Sequence, residues 1–350
     1  MSRRNAKKTY WILALDGGGI RGLFTSMILT KIQGLMGKPL HRQFDMFVGT
    51  SIGGLISLTL AQAHRKDVKQ NLISLFSQKN MHRIFDVSLW DEIMPVQFKP
   101  KYDGKGKREV IGEHLYVETL GELCGKTAVV TYNIEKEKTR VFRSWADEDS
   151  KVNLLSVGDA TSAAPIYFPA VNVSGEWYID GGIAANNPCL VALREGMKLW
   201  GHDADIRVLS IGTGQAGVKR IGKEAKDWGA VEWVLKGQII DKAMDAPRDV
   251  MWKCCRDILP EGRFLRVNGI VPEEAMDDTT PEFRDALEKC ARRVFEENKH
   301  TIQMFLNGNT RTSPVCPQRS ITPRADEPLV EDTSVTKDVA KQRTSRCIIT

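Results

Sequence analysis

The apolar residues of this chain gather in short runs, and these runs alternate with stretches in which apolar residues recur at helical spacing. Continuous apolar runs of about four to eight residues are typical of strands that are buried on both faces of a sheet. The predicted strands are residues 10–15, 46–49, 127–132, 176–179 and 207–211. The predicted helices are residues 23–35, 53–63, 187–200, 228–253 and 280–307.

This alternation predicts an α/β fold with a mostly parallel central sheet, because parallel strands need helical crossover connections. Residues 95–112 are rich in glycine, proline and lysine, which predicts an exposed loop. Beyond residue 307 the chain is polar and aperiodic, which predicts a disordered tail. The predicted regions are a basic segment at 1–9, an α/β domain at 10–215, a helical extension at 216–307 that packs on this domain, and the tail at 308–350.

Charge and cysteine content exclude several classes of protein. The net charge of +6 is spread over a chain in which basic and acidic residues are mixed, so a nucleic-acid polymer is not a predicted partner. The 7 cysteines form no CxxC pair, and they favour a reducing, cytoplasmic setting over a disulfide framework or a zinc site. No run approaches the roughly 20 apolar residues of a membrane span. We therefore expect a cytoplasmic protein without a metal site or a cofactor.

The first predicted strand runs into LALDGGGIRG, in which Gly17, Gly19 and Gly22 fit the GxGxxG pattern of a dinucleotide-binding turn. Such a turn binds the pyrophosphate of NAD, and an acidic residue about 20 positions later binds the ribose. The nearby acid is Asp45, but it precedes the second predicted strand and so lies at the wrong end of that strand. A nucleotide-binding oxidoreductase is therefore the alternative hypothesis and not the leading one.

The carboxyl end of the second predicted strand carries GTSIG, a GxSxG motif between a strand and a helix. In this context Gly49 and Gly53 allow a sharp turn that exposes the Ser51 hydroxyl at the head of the helix. The alternative interpretation is that Ser51 only caps the helix. The motif predicts that Ser51 is a nucleophile, and such a serine needs a base because a free hydroxyl is hardly ionised at neutral pH.

None of the 6 histidines is predicted to be that base. His41 and His202 each precede a strand, whereas the active site of a parallel sheet lies at the carboxyl ends of its strands. The other four histidines fall within or beside helices and the predicted loop. The base is therefore sought among the carboxylates.

Asp180 follows the strand at 176–179 directly and precedes Gly181 and Gly182. We expect it at the carboxyl end of a strand, on the same rim of the sheet as Ser51. The alternative is a turn aspartate that bonds to its own backbone. A carboxylate within hydrogen-bond reach can take the serine proton directly, so a Ser51 and Asp180 dyad is the prediction.

A serine that attacks an ester creates an oxyanion, which needs hydrogen-bond donors that are already in place. Gly17, Gly18 and Gly19 lie at the end of the first strand and can present backbone N–H groups without side chains in the way. Arg21 adds positive charge nearby, or it forms a salt bridge with Asp16 or another acid. The glycine turn is therefore a candidate oxyanion hole.

Several motifs of the chain stand in a defined order: DGGGIRG at 16–22, GTSIGG at 49–54, ATSAAPIYFP at 160–169, DGGIAANNP at 180–188 and SIGTG at 210–214. In this order they resemble the patatin-like phospholipase family of lipid acyl hydrolases, over residues 10–215. The resemblance implies a three-layer α/β/α fold and a calcium-independent dyad of Ser51 and Asp180. It also implies an oxyanion hole from the glycine turn, with Arg21, Gly49, Gly53, Gly181 and Gly182 in supporting positions.

The same resemblance implies substrates with fatty acyl esters, commonly membrane phospholipids, which are cleaved through an acyl-enzyme on Ser51. A neutral lipid or a galactolipid is the alternative substrate. The single catalytic domain with a short helical extension is also similar to small bacterial members that act in antiphage defence. This likeness implies a cyclic oligonucleotide as activator and peripheral contact with the inner face of the membrane, but the sequence identifies no residues that would bind the activator.

Overall fold

The computed structural model of the chain describes residues 8–62, 68–86, 99–216, 222–229, 232–233, 239–272 and 276–308. The predicted tail lies outside these residues apart from its first position. Residues 1–7 of the predicted basic segment also lie outside them.

Helices and strands alternate along most of the described chain. The helices are α1 (Gly22–Met36), α2 (Ile52–Ala61), α3 (Val68–Leu75), α4 (Gln78–Ile84), α5 (Lys105–His114), α6 (Leu154–Thr161), α7 (Gly182–Ala185), α8 (Cys189–Trp200), α9 (Ile239–Asp245), α10 (Arg248–Ile258) and α11 (Pro281–Leu306). The strands are β1 (Thr9–Leu15), β2 (Met46–Thr50), β3 (Lys126–Asn133), β4 (Lys138–Arg143), β5 (Val171–Val173), β6 (Glu176–Asp180), β7 (Asp205–Ile211), β8 (Gln215–Ala216), β9 (Phe264–Val267) and β10 (Ile270–Val271).

The central sheet has the strand order β5-β6-β3-β2-β1-β7-β9, and β4 pairs with the opposite edge of β3. Strands β3, β2, β1, β7 and β9 are parallel to one another. Strands β4 and β6 run antiparallel to β3, and β5 runs antiparallel to β6. Parallel pairing places the carboxyl ends of β1 and β2 side by side. The glycine turn follows the end of β1, and Ser51 follows the end of β2.

Alternate side chains of the strands point into two separate cores, as the period of two in a strand requires. Leu13 and Leu15 of β1 belong to a core with residues of α1, α2 and α11. Ile12 and Ala14 of the same strand belong to a core with residues of α8 and α10. The sheet is therefore covered by helices on both faces, which confirms the predicted three-layer α/β/α fold.

The prediction of an exposed loop over residues 95–112 is wrong in its second half, where Lys105–His114 form the helix α5. This helix lies close to α4, and a Cβ atom on Gly106 would be 1.8 Å from the carbonyl oxygen of Arg83. Gly106 is thus required by helix packing and does not mark a turn. Residues 95–98 of the predicted loop lie outside the described residues.

The single helix predicted over residues 228–253 is also wrong. Helix α9 ends at Asp245 and α10 begins at Arg248, because the intervening Pro247 lacks an N–H donor and its ring blocks the preceding turn. Residues 230–231 and 234–238 of this range lie outside the described residues. Nor is the extension purely helical, since β9 pairs with β7 and forms an edge of the central sheet.

Candidate active site

Ser51 occupies a sharp turn between β2 and α2. Its backbone has φ 55° and ψ −128°, a conformation that residues with a side chain rarely adopt and that occurs mainly at functional sites. The side chain does not cap α2, so the capping interpretation is wrong. The hydroxyl instead donates a hydrogen bond of 2.6 Å to Oδ2 of Asp180, and this is the predicted contact.

The two glycines of GTSIG are required by close packing around the turn. A Cβ atom on Gly49 would lie 2.1 Å from the carbonyl oxygen of Gly53. A Cβ atom on Gly53 would lie 2.3 Å from the carbonyl oxygen of Leu15. Any side chain at either position would therefore push α2 away from the sheet and move Ser51 with it.

Thr161, at the end of α6, holds the backbone of the same turn. Its Oγ1 accepts the Ser51 N–H at 2.9 Å and donates to the carbonyl oxygen of Val130 at 2.6 Å. The side chain is fully buried, so no water competes for these bonds. Thr161 lies within the ATSAAPIYFP block, where no single residue was predicted to have a role.

Asp180 reaches Ser51 by a different route from the one predicted. Strand β6 is antiparallel to β3, so its direction alone does not explain why its carboxyl end lies near the carboxyl ends of the parallel strands. Instead, β6 pairs with the last residues of β3, and Asp180 lies opposite Thr131, one position beyond the pair that joins β3 to Thr50. The short strand thus brings its carboxylate to the end of β2.

Burial determines the acidity of Asp180. Desolvation of the fully buried carboxyl raises its pKa to about 6, although the hydrogen bonds from Ser51 and from the Gly182 N–H and the charge of Lys107 all lower it. The Gly182 bond, at 2.7 Å, is the turn interaction of the alternative interpretation, but it uses Oδ1 and leaves Oδ2 for Ser51. A base whose pKa lies slightly below 7 is ionised at neutral pH and still accepts a proton readily.

Lys107 is a buried cation beside the dyad, and sequence reasoning missed it because its helix was predicted as a loop. Its Nζ forms an ion pair of 3.0 Å with Asp159 and donates to the carbonyl oxygens of Asp159 and Ser162 at 2.9 Å and 3.1 Å. The ammonium also lies 4.5 Å from the ring centroid of Phe168. Burial lowers the pKa of Lys107, whereas Asp159 acts in the opposite direction.

Gly18 and Gly19 of the glycine turn line a pocket together with Ser51 and Asp180. The Gly17 N–H donates a hydrogen bond of 3.0 Å to the carbonyl oxygen of Asn186 and so does not face an oxyanion. The prediction that Gly17 belongs to the oxyanion hole is therefore wrong. Gly19 has φ 55°, and a Cβ atom there would lie 2.4 Å from the carbonyl oxygen of Met276. The predicted oxyanion hole is thereby reduced to the N–H groups of Gly18 and Gly19.

Arg21 is buried and forms an ion pair with Asp245, with Nη2 3.5 Å from Oδ2. Its Nε also lies 3.4 Å from the carbonyl oxygen of Gly18. Asp16 is bonded instead by Arg266, whose Nη1 lies 2.8 Å from its Oδ1. Asp245, the partner of Arg21, and Arg266, the partner of Asp16, both come from the region beyond residue 215. The sequence has no motif there from which these contacts could be predicted.

A largely apolar pocket lies against Ser51 and Asp180. The described residues that line it include no histidine. Apolar walls bind hydrocarbon chains through the hydrophobic effect. The apolar lining residues are Ile20, Ile52, Leu55, Leu75, Phe76, Met81, Ile84, Phe85, Ile111, Ala164, Phe168, Met244 and Met276.

Among the described residues, no group of three or more histidine, cysteine, aspartate or glutamate residues is placed to hold a metal ion. No helix in that part of the chain has the length and apolar character needed to cross a membrane. Asp45, the acid considered for ribose binding, accepts the N–H of Trp11 at 2.8 Å near the start of β1, away from the glycine turn.

Comparisons with known proteins find similarity over most of the chain. A family model described as patatin-like phospholipase matches residues 13–193. A cGAMP-activated phospholipase from Pseudomonas aeruginosa is 30% identical over 276 residues, which cover 77% of this chain and 81% of the relative. A cGAMP-activated phospholipase from Vibrio cholerae is 29% identical over 302 residues, 77% of this chain and 84% of the relative. A calcium-independent phospholipase A2-gamma from Oryctolagus cuniculus is 26% identical over 322 residues, 83% of this chain and 38% of the relative.

Proposed function

Since the chain belongs to the patatin-like phospholipase family, we propose that it cleaves the fatty acyl esters of membrane phospholipids with a Ser51 and Asp180 dyad. As a member of this family it is a lipid ester hydrolase, and the oxidoreductase alternative is set aside. The observation that carries the dyad is the 2.6 Å hydrogen bond from the strained Ser51 to the buried Asp180, beside an apolar pocket.

The proposed reaction starts when the Ser51 Oγ attacks the ester carbon and its proton passes to Asp180. The tetrahedral intermediate then collapses, the ester C–O bond breaks, and the lysophospholipid alkoxide takes the proton from Asp180. A water molecule next gives a proton to Asp180 and attacks the acyl-enzyme. The second collapse releases the fatty acid and returns the proton to the Ser51 oxygen.

The oxyanion of both tetrahedral intermediates is proposed to accept hydrogen bonds from the N–H groups of Gly18 and Gly19. These two glycines line the pocket with Ser51, and the helix α1 begins just after them. The head of this helix adds a partial positive charge at the turn. The proposed chemistry uses no calcium ion, so we expect chelation of calcium to leave the rate of fatty-acid release unchanged.

Variants of the two dyad residues test this proposal. We expect Ser51→Ala and Asp180→Asn to abolish fatty-acid release from phospholipid vesicles while the protein stays folded. Ser156→Ala and Asp257→Asn are matched controls, because the first hydroxyl makes an exposed hydrogen bond to Asn153 at the start of its own helix and the second carboxylate is 67% exposed. Full activity in either dyad variant would show that the dyad is wrong.

Lipid analysis of cells that express the wild type or Ser51→Ala tests the substrate class. We expect a loss of phospholipid with a gain of lysophospholipid and free fatty acid in the wild type only. Loss of neutral lipid or galactolipid instead would favour the alternative substrates. The proposed place of action is the cytoplasm, at the inner face of the membrane.

Activation by a cyclic oligonucleotide is a second part of the proposal. Its support is that two relatives, which align with 77% of this chain each, are named as cGAMP-activated phospholipases. A role in antiviral defence would follow from such activation. We expect cGAMP to increase fatty-acid release from vesicles by the purified wild type, and an equal rate with and without cGAMP would remove this part of the proposal.

A further inference from the structure

Two buried arginines share one carboxylate next to the glycine turn. The side chains of Arg21 and Arg248 are each 6% exposed, and each places a guanidinium nitrogen 3.5 Å from Oδ2 of Asp245. The other oxygen of Asp245 accepts a hydrogen bond of 2.8 Å from Nδ2 of Asn186. Asp245 is thus the common partner of three side chains from three parts of the chain, two through ion pairs and one through a hydrogen bond.

Two of these three residues contact the glycine turn, Arg21 with its side chain and Asn186 with its backbone. Arg21 approaches the carbonyl oxygen of Gly18 with its Nε, and this carbonyl shares a peptide group with the N–H of Gly19. A donor on the carbonyl polarises the peptide and strengthens its N–H as a hydrogen-bond donor. Asn186 accepts the Gly17 N–H with its backbone oxygen. Asp245 therefore holds the turn through residues on both sides of it.

Asp245 also determines which way the Asn186 amide points. An ionised carboxylate only accepts hydrogen bonds, so the amide NH2 group must face Asp245 and the amide oxygen must face away. This oxygen is buried without a hydrogen-bond partner in the described structure. It lies against the glycine turn, since a Cβ atom on Gly17 would be only 2.2 Å from it.

The residue before Asp245 reaches the other half of the site. Met244 is buried and lines the pocket, and its Cε would lie 2.2 Å from a Cβ atom on Gly182. Gly182 is the residue whose N–H binds Asp180. Helix α9 ends in these two residues and thus contacts Arg21 and Asn186 through Asp245, and Gly182 through Met244. It lies outside the residues matched by the family model.

We infer that Asp245 is a positioning residue that holds the glycine turn in the geometry needed to bind the oxyanion. This inference rests on the proposed function, because it assigns a role within that reaction. Asp245 touches neither the substrate nor the reacting atoms, and it acts through Arg21 and Asn186. Its effect should therefore be felt in the transition state more than in substrate binding.

The test is Asp245→Asn, assayed on a soluble p-nitrophenyl acyl ester. We expect kcat to fall roughly 10- to 100-fold while KM changes less than about threefold, because a displaced oxyanion donor costs rate and the apolar pocket is kept. The affinity for a trifluoromethyl ketone, which forms a tetrahedral adduct on Ser51, should fall by the same factor as kcat. The affinity for an unreactive fatty amide should stay unchanged, and Asp245→Glu should recover part of the rate.

Asp257→Asn is the matched control, since it removes an exposed carboxylate that is also paired with an arginine. If Asp245→Asn melts below the assay temperature, the double variant Asp245→Asn with Arg248→Met removes the surplus buried charge and should show the same loss of kcat. Wild-type kcat in a folded variant would overturn the inference, and so would an equal loss of affinity for the ketone and the amide. Equal ester hydrolysis by the wild type and Ser51→Ala would instead mean that the proposed function has failed.

Discussion

At the scale of the residue, Asp180 combines two opposing demands. A base must be ionised to accept a proton, but full burial favours the neutral form of this carboxyl and raises its pKa to about 6. Lys107 is the charged side chain that works against this shift. Burial on one side, and the hydrogen bonds from Ser51 and Gly182 with the charge of Lys107 on the other, therefore set the pH range in which Asp180 can act.

Replacing Lys107 should move the pH profile of the reaction. The wild type should lose kcat/KM as the pH falls through about 6, because protonated Asp180 cannot accept the Ser51 proton. In Lys107→Met the opposing charge is gone, so the pKa of Asp180 should rise and this limb should move to higher pH. The control is Lys105→Met, on the same helix but with a side chain that is 85% exposed. An unmoved limb in Lys107→Met would show that its charge does not act on Asp180.

Burial of Asp180 should also be visible in stability. Its pKa is higher in the folded chain, at about 6, than its ordinary value of 3.8. The folded state therefore binds the proton more tightly, and stability is lost as the pH rises from about 4 through about 6. Asp180→Asn stays neutral, so it should exceed the wild type in the free energy of unfolding by up to about 3 kcal/mol at pH 7.5 and by little near pH 4. Urea unfolding at the two pH values measures this, and an equal difference at both would contradict it.

At the scale of the element, the turn between β2 and α2 depends on α6. The strained Ser51 backbone keeps its N–H bonded to Thr161, which is itself bonded to β3 through Val130. Strand, turn and helix are thus joined through one hydroxyl. This arrangement explains how a single residue can hold an unfavourable conformation without loss of order.

Thr161→Val tests that joint. Valine has nearly the same shape but can neither accept the Ser51 N–H nor donate to Val130, so a buried donor loses its partner at a cost of about 1–3 kcal/mol. We expect lower stability and a fall in kcat of roughly tenfold or more, since Ser51 loses its fixed position. Thr161→Ser keeps the hydroxyl and should retain most of the activity. Equal kcat values for the valine and serine variants would rule out this role.

Elements with strong local signals could be predicted, and those fixed by distant contacts could not. Strand β1 begins one residue earlier than predicted, and α11 is one residue shorter than predicted at each end. The agreement is this close because buried apolar periodicity determines both elements. Helix α5 was missed because Gly106 is explained by its contact with α4 and Lys107 by its ion pair with Asp159, and both are contacts between residues distant in sequence. The direction of β6 was also beyond prediction, since a five-residue strand carries no signal for the partner it pairs with. The contact between Ser51 and Asp180 could nevertheless be predicted, because both residues lie in local motifs.

At the scale of the whole molecule, the region beyond residue 215 belongs to the same structure as the motifs before it. Strand β9 extends the central sheet, and Arg266 on it binds the buried Asp16. Helix α11 packs on α1, and its buried face includes Phe283, Leu287, Val294 and Phe305. The predicted extension thus completes the sheet and one of the two cores.

Phe305→Ala should therefore destabilise the molecule as a whole. The ring is 1% exposed and packs edge-on against Trp11 at 5.4 Å between ring centroids, so its removal leaves a cavity between α11 and β1. We expect a loss of about 3–5 kcal/mol in the free energy of unfolding, measured with urea. Gln303→Ala, on the exposed side of the same helix, should change it by less than about 0.5 kcal/mol. Similar stability of the two variants would mean that α11 is not part of the core.

The ion pair of Asp16 and Arg266 has a consequence for the time course of synthesis. Its partners are 250 residues apart in sequence, so the ribosome makes Asp16 long before the cation that neutralises it. Until then the strand that leads into the glycine turn carries an acid that cannot be buried without its partner. We therefore expect a nascent chain to complete the glycine turn only after residue 266 has been translated, and not when the motif itself emerges.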